Sequence, residues 1–62
     1  MSPEREARIR LLIVGTLPDQ LTLPFNLWTR AAVASLIARE YGIEVSLVTV
    51  RRYLLAWGLS PH

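Results

Sequence analysis

Apolar and polar positions along this chain follow two periods. In SLVTVRRYLLAWG, Ser46 to Gly58, the residues Leu47, Val50, Tyr53, Leu54 and Trp57 fall on one stripe at 100° per residue, the period of a helix packed on a core. The same period appears upstream, where Val33, Leu36, Ile37 and Tyr41 share a face. A third stripe, Ile9, Leu12 and Ile13, predicts a helix from Pro3 to about Val14. Helices are thus expected over about 3–14, 30–41 and 47–57. From Thr16 to Leu27 the period becomes two: Leu21, Leu23, Phe25 and Leu27 alternate with Thr22, Pro24 and Asn26. Pro18 and Pro24 forbid a continuous helix there, and Pro24 limits the extended segment to an edge or an unpaired run.

The helix boundaries carry their own chemistry. Ser2-Pro3-Glu4 combines a side-chain cap, a pre-set φ and a negative charge at the positive end of the helix dipole, and Gly15 supplies the exit. Glu6 and Arg10 are spaced to pair on the outside of this helix, for about 0.2–0.5 kcal/mol. Thr29 caps the second helix, with Trp28 and Val33 as a hydrophobic staple, and Gly42 suits the left-handed residue past its end. Ala34 and Ala38 leave room for another backbone. Ser46 repeats the cap with Val45 and Val50 as the staple, and Gly58 stops the third helix. So short a connection between the last two helices makes them cross steeply. The expected fold is all-α: a three-helix helix-turn-helix, winged-helix-like without a complete wing, with an extended segment between helices 1 and 2, forming one domain over 1–62.

Composition changes this picture in two ways. With 62 residues the chain sits near the lower limit for a self-sufficient core, and 52% hydrophobic residues exceed what so small an interior hides. Either some apolar surface is exposed or a second chain or a neighbouring domain covers the surplus. All seven basic residues are arginine, whose planar fork suits phosphates and guanine edges, and the formal charge is +2. Other chemistry is thin. There is no cysteine and one histidine, His62, so neither disulfides nor an ordinary zinc site is expected, and no metal or cofactor. The apolar run Leu11 to Val14 is far below the ~20 residues that span a bilayer, and the N-terminus is charged. A soluble cytoplasmic, nucleoid-associated protein with no membrane partner is the expectation. Glu4, Glu6, Asp19, Glu40 and Glu44 are dispersed, with no histidine beside them and no glycine-rich phosphate loop, which argues against an enzyme.

The outer face of the third helix carries the functional signal. It holds Val48, Thr49, Arg51, Arg52 and Leu55, with neither acid nor lysine, where an ordinary solvated face alternates in sign. In a helix-turn-helix the N-terminal half of this helix enters the major groove. Arg51 or Arg52 can then meet guanine O6 and N7 while the other grips a phosphate, and Val48 can touch a thymine methyl group. Ser46, Thr49 and Arg30 suit phosphate oxygens. Trp28, Tyr53 and Trp57 are candidates for base-stacking platforms but lie on apolar stripes or at a staple, so core packing is expected of them. Leu55 fits a sugar contact, a dimer contact or plain surface equally.

Taken together, Ser2-Pro3-Glu4, Pro18-Asp19-Gln20-Leu21, Leu23-Pro24-Phe25, Leu27-Trp28-Thr29, Tyr41-Gly42-Ile43, Ser46, Thr49-Val50, Arg52-Tyr53-Leu54 and Trp57-Gly58-Leu59 resemble the winged helix-turn-helix of bacterial insertion-sequence transposases related to mariner elements. The resemblance implies binding to double-stranded DNA at terminal inverted repeats, with Ser46, Thr49 and Arg52 in the DNA-facing element. In that family the module precedes an RNase H-like domain with a DDE metal triad. No such triad is present, and the chain stops at His62, so the chemistry is not carried over. It also stops too soon after Gly58 for a β-hairpin wing, which leaves the segment from Leu21 to Leu27 as an apolar edge and makes a homodimer an expectation. The alternative is a protein-interaction or dimerisation module derived from such a domain, in which the arginines are incidental.

Overall fold

Three features coincide at the start of the first helix: Ser2 Oγ accepts from the Arg5 N–H at 3.4 Å, Pro3 takes the first helical position, and Glu4 and Glu6 lie in the first turn. In the computed structural model, which describes residues 2–59, this helix, α1, spans Pro3–Gly15. A 3₁₀ turn follows at Pro18–Leu21, then α2 at Arg30–Tyr41 and α3 at Leu47–Ala56. No strand is present among the described residues. The fold is all-α, as the periodicity predicts. Of the expected domain over 1–62, Met1 and residues 60–62, His62 included, lie outside the described residues.

One cluster forms the core: Ile9 from α1, Leu23 from the connection, Val33, Leu36 and Ile37 from α2, Val50 and Leu54 from α3. Each such side chain contributes roughly 1.5–3 kcal/mol by leaving water, so all three helices depend on seven residues. Leu12, Ile13, Trp28, Tyr41, Tyr53 and Trp57 pack around it half-buried. Ala32 is the fully covered alanine of α2. Ala34 and Ala38, expected to admit another backbone, border an open depression with Ser35, Glu44, Val45 and Ser46.

The connection between α1 and α2 keeps the predicted alternation for six residues and then departs from it. Leu21, Leu23 and Phe25 turn inward while Thr22, Pro24 and Asn26 face solvent. The backbone is no strand, because Pro18 opens a 3₁₀ turn whose first free N–H, that of Leu17, is satisfied by Gln20 Oε1 at 2.8 Å. Thr22 closes the turn in the left-handed region, φ 61°, and Arg39 Nη1 donates to both Leu21 O and Thr22 Oγ1. Leu27 was expected inside; it is 70% exposed. Trp28 turns inward instead, since the indole carries more apolar area and its Nε1–H finds an acceptor, Thr16 O, at 2.7 Å. The open β-edge expected from Leu21 to Leu27 therefore does not exist.

The Glu6–Arg10 pair does not form either. Among the described residues the ion pair is Arg8 Nη2 to Glu40 Oε1 at 3.8 Å, and the Arg5 guanidinium stands 4.8 Å from the Tyr41 ring centre. Two α1 arginines thus turn toward the end of α2. Exposed pairs of this kind are worth about 0–1 kcal/mol, so they orient more than they stabilise.

Candidate nucleic-acid interface

The α2–turn–α3 unit is built from its end caps. Gly42 takes φ +65°, and its N–H donates to Ala38 O at 2.8 Å, ending α2 with the left-handed residue the sequence predicts. Ile43 and Val45 are half-buried against the core, so the turn is anchored at two apolar points. Ser46 then caps α3, its Oγ accepting from the Thr49 N–H at 3.2 Å. At the other end Leu59 N–H donates to Leu54 O at 2.8 Å and Gly58 N–H to Leu55 O at 3.2 Å, with Gly58 at φ +74°: a Schellman closure. Both ends of α3 are capped, which fixes the limits of a ten-residue helix.

What this helix presents follows from what it buries. Val50 and Leu54 are covered, and Tyr53 stacks on Trp57 with ring centres 5.6 Å apart and planes 7° from parallel. This is the packing role expected for both aromatics. The opposite side carries Val48, 63% exposed, Leu55, 53% exposed, and the exposed Arg51 and Arg52. Neither arginine makes an ion pair or a side-chain hydrogen bond among the described residues, so both forks are available to a partner. Leu47 departs from expectation. Its angle puts it on the apolar stripe, yet it is half exposed, because it stands one turn before Val50, the first α3 residue that the core covers. Angular position alone does not bury a residue; it must also overlap a neighbour along the axis.

The remaining sequence-predicted residues are placed less simply. Thr49 is half-buried, and its Oγ1 lies 3.0 Å from Ser46 Oγ. One of the two hydroxyl protons is used between them, which leaves one to donate outward. Arg30 is exposed in the first turn of α2, away from the α3 cluster in the chain. The first turn of α3 contains no acid, so the partial positive charge of its N-terminus is uncompensated from within the helix. Glu44 opposes this. It borders the same depression as Ser46, and its carboxylate disfavours a phosphate there. Sequence reading overlooked that role, although the position two residues before the cap was its signal.

No group of three or more potential metal-holding side chains occurs among the described residues, and no helix is long and apolar enough to cross a membrane. A family model described as winged helix-turn helix matches residues 24–62, more than half of the chain. The match takes in α2, the turn and α3 and leaves out α1. No significant match was found among curated proteins or solved structures.

Proposed function

The chain belongs to the winged helix-turn helix family, and on that premise we propose that it binds double-stranded DNA sequence-specifically, with α3 in the major groove. One observation carries this reading: two unpaired arginines and an exposed valine stand on the outer side of a doubly capped helix that contains no acid. Arg51 or Arg52 reads guanine through two parallel hydrogen bonds while the other holds a phosphate, and Val48 meets a thymine methyl group. The free proton of the Ser46–Thr49 pair and the Arg30 guanidinium serve phosphate oxygens. Winged helix-turn helix domains are binding modules, and no reaction is assigned to this one.

The finer reading is that the target is a terminal inverted repeat of an insertion sequence, as in mariner-related transposases, which would place the protein at the nucleoid. Its support is the spread of residue resemblances, from Leu23-Pro24-Phe25 to Trp57-Gly58-Leu59. Titration of the chain with short duplexes, repeat ends among them, at two salt concentrations tests both levels. Binding should weaken steeply with salt, with log K falling by about 0.9 per phosphate contact for each unit of log salt. A salt-independent association, or equal affinity for all duplexes, would remove the proposal. A protein-interaction module is the second reading, favoured by Leu47, Val48 and Leu55 exposed beside the arginines. Such an interface is apolar and would hardly respond to salt.

A further inference from the structure

We propose that the outward side of α1 is a homodimer interface, on which a second copy of this chain lays its own α1 antiparallel across a twofold axis. This inference does not depend on DNA binding. At 100° per residue, Pro3, Ala7, Leu11 and Val14 form a stripe opposite Ile9 and Leu12, and all four are exposed, Leu11 by 72%. Leu17 follows directly. Trp28, hydrogen-bonded to Thr16 just past the same end of the helix, is preceded by the exposed Leu27. Of the seven large apolar residues exposed among the described residues, these account for four: Leu11, Val14, Leu17 and Leu27. Apolar exposure gathered along one helix face and just past its end, on so small a surface, marks an interaction site.

Charge complementarity selects the occupant. One flank of α1 faces α2, where Arg5 and Arg8 are engaged by Tyr41 and Glu40. The other flank carries Glu6 and Arg10, four residues apart and in no ion pair among the described residues. In an antiparallel twofold pairing like flanks face each other, so Glu6 of each copy meets Arg10 of the other, and the contact closes symmetrically. The same register sets Leu11 of one copy over Ala7 of the other and Pro3 opposite Val14, large against small. Arg8, which would approach its own equivalent on the far flank, is drawn aside by Glu40. A shallow groove bounded by Pro3, Glu6, Ala7, Arg10 and Trp57 receives the incoming leucine. The α3 face belongs to another helix and stays free.

Sedimentation of the full 62-residue chain over concentrations up to about 1 mM tests the proposal. The expected result is a monomer–dimer equilibrium that Leu11→Glu weakens at least about tenfold, with helix content by circular dichroism unchanged because Leu11 is exposed. Glu6→Arg and Arg10→Glu should each weaken the dimer, and the double variant should restore it. Arg10 is exposed and Glu6 half-buried, neither in the core, so the charge-swap pair supplies a second readout should Leu11→Glu disturb folding. A strictly monomeric chain, a dimer indifferent to Leu11→Glu, a dimer abolished by Leu55→Glu on α3, or failure of the double swap to restore association would each overturn it.

Discussion

The outward sides of α1 and α3 both expose leucine and valine, and what differs is the charge set among them. On α3, Leu47, Val48 and Leu55 stand with Arg51 and Arg52 and no acid. On α1, Leu11 and Val14 stand with Glu4, Glu6, Arg8 and Arg10, both signs on one helix. The helix starts repeat the contrast. Each is capped by a serine, but Glu4 and Glu6 neutralise the α1 dipole while the first turn of α3 has no acid. Exposed apolar area alone therefore names no partner. A one-signed surround calls for a polyanion, and a mixed, self-complementary surround calls for another copy of itself. The family match divides the chain in the same place, covering α3 and not α1.

The broadest way to break the contrast is to remove the core both faces share. Leu36→Ala should cost about 2–5 kcal/mol, a large part of the stability of a small domain, and thermal unfolding should show DNA binding and dimerisation lost together. Separation of the faces is the next test. Arg51→Ala and Arg52→Ala should each cost about 1–3 kcal/mol in duplex affinity, one relaxing specificity at a single base and the other weakening all sequences and lowering the salt slope by about 1. Both should leave sedimentation unchanged; a parallel loss of dimer would merge the two surfaces into one.

Smaller effects sharpen the account of the α3 start. Ser46→Ala removes the cap and should cost about 0.5–2 kcal/mol of stability by denaturant titration, with duplex binding falling further as the first turn frays. Glu44→Gln should act in the opposite direction and strengthen DNA binding by a few tenths of a kcal/mol at low salt, fading as salt screens it. If Glu44→Gln weakened binding, phosphates would not approach the depression beside Ser46.

Much of the fold was legible because its signals are local. The three serine and threonine caps, the left-handed Gly42 and the stripe of α2 act over three or four residues, and each appears where the residue types put it. The exposed arginine pair was legible for the same reason: the helix period assigns them the side away from Val50 and Leu54. The misreadings involve competition between distant groups. Leu27 lost its inward place to Trp28, whose indole finds a carbonyl twelve positions earlier, and Arg10 stayed unpaired while Arg8 reached across to Glu40. The expected extended segment begins from a 3₁₀ turn, Pro18–Leu21, held by Arg39, an anchor eighteen positions away from Leu21.

By itself the sequence determined where helices begin and end and which side of each is apolar, since capping and periodicity are short-range preferences of the backbone and of the hydrophobic effect. Only the tertiary structure decided which residues of the apolar pattern stayed outside: Leu27 and Leu47 are as hydrophobic as those within. Seven side chains form the core cluster, and burial goes to residues that both face a neighbouring element and overlap it along its length.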